Sequence, residues 1–483
     1  MSTSHRGVAL VTVLWIMAIL AVMGIGFSFS VRVNADLTAN AFRQVKAGEL
    51  AHAGLEITIE RMKADQAQGK TYMALTDPWM SYSSNDIELP FDAGQFTVNV
   101  MDEAGKLNVN VASVEEIGSL VGDEELANSI MDWRDEDDDS TDGGAETFVY
   151  EEKKPPYKAR NGRLRSIGEL GLVEGMTSQL LWGDPQKLYN ERQLGEVRGL
   201  ADVLTVCAID PNYTATGQRR LDLNTATDNE LREGLQGIIA DEKIEAIIDY
   251  RSQFRGSSGG TGGTGGNGGT DGSGMPGGIT IPGGGGTDGR MGVGAYDLTR
   301  RYSPPVGARQ AGGPDEGDMG TGMPDLGTIT PPGSESSPIG GTGTQEAFPT
   351  TGALVAVPEL ANEDIEAVWD YVSAADGDLS EGRININTAP LQVLSAIIDP
   401  ALAQAIVDYR DTLGAYPTVA HILEAGPDVK AQFESISDRL TATSYVFTIE
   451  STGHIARTGI ATRLRATVDV SGDQPNYLLI CQY

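Results

Sequence analysis

The densest chemistry in this sequence lies between Asp135 and Glu146, which read Asp-Glu-Asp-Asp-Asp-Ser-Thr-Asp-Gly-Gly-Ala-Glu. Counting Asp135 as position one, carboxylates fall at positions one, three, five and twelve, that is Asp135, Asp137, Asp139 and Glu146, with a further one at Asp142. This is the register in which an EF-hand loop wraps oxygen ligands around Ca2+. Position six, where that loop needs a glycine for its sharp turn, is Ser140, and Gly143 and Gly144 would move the turn later. Calcium takes about 6 to 8 hard oxygens, and no His or Cys stands nearby, so the ion expected is Ca2+ rather than zinc. Most charge runs are solvated loops, and the spacing alone leaves that alternative level with the metal.

A helix must present the loop, and an internal repeat supplies it. Lys106-Leu107-Asn108-Val109-Asn110-Val111-Ala112-Ser113 returns as Arg220-Leu221-Asp222-Leu223-Asn224-Thr225-Ala226-Thr227 and as Arg383-Ile384-Asn385-Ile386-Asn387-Thr388-Ala389-Pro390. A short apolar helix pair follows each, ending at Trp133-Arg134, Tyr250-Arg251 and Tyr409-Arg410. Ser113, Thr227 and Thr388 precede helical patterns and are expected as N-caps. The pattern resembles helix-hairpin-helix or SAM-like units, some of which hold DNA phosphates on hairpin N–H groups. Here the hairpins read Val121-Gly122-Asp123, Ile239-Ala240-Asp241 and Ile398-Asp399-Pro400, with a carboxylate where phosphate would approach. With 68 acidic against 35 basic residues and a net charge of -33, no nucleic-acid partner is expected. A membrane-anchored DNA-binding or uptake protein is the alternative function.

The second unit is interrupted. From Gly256 to about Thr350 the chain is dominated by Gly, Thr, Ser and Pro, a composition that cannot bury enough apolar surface to fold. Ala353-Leu354-Val355-Ala356-Val357-Pro358-Glu359-Leu360 then matches Tyr416-Pro417-Thr418-Val419-Ala420-His421-Ile422-Leu423 of the third unit. The tract therefore reads as a disordered loop inside a helical unit, with an interdomain linker as the competing reading.

All of this follows a run of 24 uncharged residues, Val8 to Val31, preceded by Ser4-His5-Arg6-Gly7. At ~1.5 Å per residue the run makes a helix of ~36 Å, enough to cross a hydrocarbon core of ~30 Å. Arg6-Gly7 before an apolar run resembles a prepilin peptidase site, with cleavage between Gly7 and Val8; an uncleaved anchor is the alternative. Arg6 marks the N-terminus as cytoplasmic and sends the rest outward. Apolar or small residues continue at Leu37, Ala41, Val45, Gly48, Ala51, Leu55, Ile59 and Met62, the stripe of an amphipathic helix lying against a sheet. Residues 71–94 read as loop, Gln95 to Met101 as a strand, and Tyr445–Glu450, Ala461–Val470 and Tyr477–Ile480 as three more. The scattered histidines His5, His52, His421 and His454 and the two cysteines, Cys207 and Cys481, sit in no recognisable catalytic setting, so no enzyme is expected. The cysteines could form one bridge or remain two buried thiols.

Taken together, Arg6-Gly7-Val8-Ala9-Leu10, Asp102-Glu103-Ala104-Gly105-Lys106, Asp132-Trp133-Arg134-Asp135-Glu136-Asp137, Gly144-Ala145-Glu146 and Tyr157-Lys158-Ala159-Arg160-Asn161 resemble the K-type minor pseudopilins of type II secretion systems. The resemblance covers residues 1–182 well, the C-terminal part more loosely, and the glycine-rich tract not at all. It implies an α+β pilin-like fold, a long N-terminal helix on a small antiparallel sheet with a large helical insertion. The resulting boundaries are 1–7 leader, 8–66 helix, 67–105 loop and first strand, 106–255 helical units with the acidic loop, 256–350 glycine-rich tract, 351–440 a further helical unit and 441–483 terminal strands. It also implies calcium in the insertion, cleavage and methylation by prepilin peptidase, a single pass through the bacterial inner membrane and a periplasmic body. The implied partners are I- and J-type minor pseudopilins, with H-type and major pseudopilins below. Most pilins carry Glu at the fifth mature residue; here that position is Thr12, as is typical of K-type members and suited to a subunit with none above it.

Overall fold

The computed structural model describes residues 6–87, 94–184, 195–255 and 346–482, apart from 376, 378, 426, 457 and 473. The expected leader residues 1–5 and nearly all of the glycine-rich tract lie outside these. The described residues belong to one unit, formed by Met1–Gly256 with Glu346–Tyr483.

Helix α1 runs from Arg6 to Ala67 without a proline to break it. Its first half is exposed, with Trp15 67 % and Phe27 73 % accessible, and it is long and apolar enough to cross a membrane. Its second half lies on a five-stranded antiparallel sheet, ordered β1 (Ser81–Ser83), β2 (Gly94–Asp102), β3 (Val446–Ile455), β4 (Ala461–Asp469), β5 (Asn476–Gln482). Strands β2 and β3 are distant in sequence and pair side by side, Phe447 opposite Asp102. The stripe packs only from Ala47 onward: Ala51, Leu55, Ile59 and Met62 are buried against Phe96, Val98, Ile449 and Ala466, while Leu37 and Val45 stay exposed. Close approach depends on glycine at two points. A Cβ on Gly54 would fall 2.3 Å from Ser451 Oγ, and one on Gly453 would fall 2.0 Å from the Ala47 carbonyl oxygen.

Strand β1 lies in a stretch whose serines and prolines read as loop. Tertiary contacts override that local signal: the Tyr82 hydroxyl sits 2.9 Å from Thr58 Oγ1 and its ring meets Phe96 edge-on at 6.0 Å. Cys207 and Cys481 are free thiols rather than a bridge, and Cys481 is exposed rather than buried.

Between β2 and β3 the chain builds three units on one plan. Two-residue strands open each, at Leu107–Asn108, Leu221–Asp222 and Ile384–Asn385, and pair in parallel with returning segments at Leu204–Thr205, Val372–Ser373 and Leu440–Thr441. The repeated asparagine clamps the return. Asn110 donates to and accepts from the Leu164 backbone (3.0 and 2.8 Å), Asn387 does the same to Tyr416 (2.9 and 2.8 Å), and Asn224 to Phe348 (2.8 and 3.0 Å). Phe348 follows the glycine-rich tract, so the second unit resumes across it. The repeated arginine closes the other side: Arg134 donates to the Val109 and Ala112 carbonyls, Arg251 to Leu223 and Ala226, Arg410 to Ile386 and Ala389.

Ser113 and Thr227 cap their helices in capping boxes with Glu116 and Glu230. Thr388 does not. The third helix is Leu391–Ile397 with Pro390 at the cap, because Pro390 rather than Thr388 occupies the repeat position of Ser113. Thr388 instead donates its hydroxyl to Asp102 Oδ2 at 2.6 Å, where Asn385 and Ser444 also donate. The buried Asp102 thus ties the end of β2 to the third unit.

Candidate metal centre

The acidic loop is held between two fixed points. The helix Glu124–Arg134 is capped by Asp123, whose carboxylate accepts from Leu126 N, and it delivers Asp132 and Asp135 one turn apart at its C-terminal end. On the far side Glu146 immediately precedes the short helix Thr147–Glu151. The turn falls late. Gly144 N donates to the Thr141 carbonyl at 3.0 Å, Gly143 takes φ +78, and a Cβ on Gly144 would fall 2.1 Å from Asp132 Oδ2. Glycine is required at both, and the turn falls after Ser140 rather than at it. Asn128 donates to the Asp142 carbonyl at 2.8 Å, and Asn161 to the Asp137 carbonyl and to Asp138 Oδ1 at 2.7 and 2.9 Å.

Asp132, Asp135 and Glu146 converge, with one carboxylate oxygen of each within 4.8 Å of the others. Asp132 and Glu146 are fully buried. Asp132 is satisfied by Thr141 N and Oγ1, the latter at 2.8 Å. Glu146 Oε1, Glu146 Oε2 and Asp135 Oδ1 are buried without a well-formed hydrogen bond. Buried carboxylates without donors are costly unless protonated or bound to a cation. Burial, then the charges of Asp137 and Asp132, push the Asp135 carboxyl up to about 6. Burial, then Asp135 and Asp132, push Glu146 up to about 7. An all-oxygen donor set with uncompensated negative charge fits a hard divalent cation such as Ca2+.

Of the loop carboxylates named from the sequence, Asp135 and Glu146 are brought together. Asp137, Asp139 and Asp142 are exposed and stand outside the three-carboxylate group; Asp137 Oδ1 accepts from Asp139 N at 2.9 Å. Asp132 belongs to the converging group although it precedes the twelve-residue window. Its position three residues before Asp135, on the same helical face, is the signal that finds it. Gly7 and Val8 lie at the start of α1, and Thr12 is on its exposed first turns.

A membrane-length helix laid on a small antiparallel sheet, with helical units inserted between the second and third strands, defines a pilin-like protein. Residues 105–182, which hold the acidic loop, and 384–441, which hold the third unit, match family models described as type II secretion system (T2SS), protein K. Both stretches, on either side of the glycine-rich tract, are thus similar to the same family over part of the chain. It is 26 % identical over 212 residues to the type II secretion system protein K of Pectobacterium carotovorum subsp. carotovorum, covering 37 % of this chain and 61 % of that protein. To the protein of the same name from Aeromonas hydrophila it is 24 % identical over 201 residues, covering 36 % and 60 %. The matched region thus spans about three fifths of these relatives. A chain in a crystal structure of the GspK-GspI-GspJ complex from enterotoxigenic Escherichia coli aligns at 13 % identity over 94 % of this chain and 98 % of that one, with a TM-score of 0.38.

Proposed function

We propose that this chain is a minor pseudopilin at the tip of the type II secretion pseudopilus, supporting its assembly and protein export across the outer membrane. The observation that carries the reading is the combination of a membrane-length N-terminal helix seated on a sheet with two separate matches to the protein K family. Prepilin peptidase cuts between Gly7 and Val8 and methylates the new terminus; the helix anchors the protein in the inner membrane with its body in the periplasm. A neutral Thr12 lacks the carboxylate that would meet the N-terminal ammonium of a subunit above, which suits the first position in the stack. I- and J-type minor pseudopilins are the proposed neighbours, with H-type and major subunits below. The inserted units are SAM-like in this reading and serve packing rather than phosphate binding. Asp123 and Asp399 spend their carboxylates on the backbone N–H groups of Leu126 and of Ala401 and Leu402, the donors a phosphate would need.

Calcium is the proposed ion at Asp132, Asp135 and Glu146. Bound there, it neutralises the buried carboxylates and staples the loop to the helix that precedes it. The test of the function is complementation. In a strain lacking the gene, export of secreted proteins is expected to fail and to return with the wild-type chain but not with Gly7→Val. Undiminished export in the deletion strain contradicts the proposal, and tight binding of duplex DNA at physiological salt favours the membrane-anchored DNA-binding alternative.

A further inference from the structure

The second and third helical units meet at a polar cluster that neither the fold nor the proposed calcium site uses. Glu366, on the helix Asn362–Val368, places Oε1 2.9 Å from His421 Nδ1. Tyr409, on the helix Pro400–Thr412, places its hydroxyl 2.7 Å from His421 Nε2, and Glu424 Oε2 lies 3.5 Å from the same nitrogen. His421 and Glu424 share the short helical segment Val419–Ala425. One ligand atom from each of Glu366, His421 and Glu424 lies within 4.8 Å of the others.

We propose that His421 Nε2 and Glu424, with the Tyr409 hydroxyl beside them and Glu366 behind the ring, form a binding site for a divalent transition-metal ion of the zinc class. The division of labour follows from the ring. Glu366 holds Nδ1 as the N–H donor, so Nε2 carries the lone pair, and that nitrogen faces a second carboxylate and a phenol. A carboxylate behind a histidine whose far nitrogen meets the ion is the usual arrangement of metal-ligating imidazoles. The ring is already oriented for this: it stands edge-on to Tyr409 at 5.7 Å and to Tyr416 at 6.0 Å, and those two rings stack at 4.5 Å. His421 and Glu366 are largely sheltered, with side chains 17 % and 26 % accessible, while Glu424 at 52 % leaves a path from solvent. An imidazole nitrogen among oxygens selects against Ca2+ and for zinc-like ions, so this site and the all-carboxylate loop separate by metal type. An ion here joins His421 and Glu424 to the Tyr409 helix, while Glu366 ties the same ring to the second unit.

The test is titration of the full-length chain in detergent with Zn2+, after chelation and in saturating Ca2+ to fill the carboxylate loop. The expected result is a bound Zn2+ that is lost in His421→Ala, weakened at least tenfold in Glu424→Gln and retained in His52→Ala, with Co2+ at the same site giving a visible d–d band that the His421 variant lacks. Glu424 is half exposed, so its substitution does not threaten folding, and it keeps the test decisive if the His421 variant is unstable. Zn2+ binding that is absent, or unchanged in Glu424→Gln, overturns the site and leaves the cluster a hydrogen-bonded strap.

Discussion

Glu146 and Asp135 concentrate the consequences of the acidic loop, because Glu146 Oε1 and Oε2 and Asp135 Oδ1 are buried without a well-formed hydrogen bond. Both carboxyls hold their protons more tightly in the folded chain than an unfolded one would, their folded values being raised to about 7 and about 6. Proton binding therefore favours the fold: metal-free protein loses stability as pH rises from the ordinary carboxylate range through 6 and 7. Melting temperatures measured in chelator between pH 4.5 and 8 check this, and added Ca2+ is expected to restore the loss at the alkaline end, where the ligands are deprotonated. Asp132→Asn and Glu146→Gln are each expected to remove most of the Ca2+-dependent rise in melting temperature, as a ligand that binds only the folded state must stabilise it. Asp139→Asn, outside the converging group, is expected to change it little. The sequence displayed the loop through its carboxylate spacing and late glycines. It did not display which oxygens converge, because that depends on where the preceding helix ends and on Asp132 one turn earlier.

At the scale of elements, the three units were legible because the same side chains do the same work in each. Asn110, Asn224 and Asn387 must satisfy both backbone groups of a returning segment, and an asparagine amide has one donor and one acceptor end to do so. Removing one leaves a buried N–H and C=O unpaired at an order of 1 to 3 kcal/mol each. Asn387→Ala is accordingly expected to destabilise the protein by about 2 to 6 kcal/mol in chemical denaturation, with the third unit exchanging its amide hydrogens first. Thr388 shows where local reading failed. Its type suits a helix cap, but the repeat register gives that place to Pro390, and the partner of Thr388 is Asp102, 286 residues away in the chain. No periodicity in either segment encodes such a contact. Strand β1 was illegible for a related reason: its three residues are held by the Tyr82 contacts with Thr58 and Phe96.

For the whole molecule, the chain divides into a membrane-length helix with its sheet and an insertion carried between β2 and β3. The second unit closes on itself through Asn224 and Phe348 on either side of residues 256–345. Replacing residues 257–345 by a flexible linker is therefore expected to leave the melting temperature within a few degrees, since loop-closure cost grows only slowly with length, by about 0.6 kcal/mol per doubling. A large loss of stability would mean that the tract contributes to the fold. The central claim is that this protein works as one subunit of a small tip assembly, and assembly is what tests it most directly. The measurement is the mass in solution of residues 32–483 mixed with the periplasmic parts of the I- and J-type pseudopilins from the same bacterium. A complex with one copy of each subunit is expected; a chain that stays monomeric in every mixture would contradict the tip assignment.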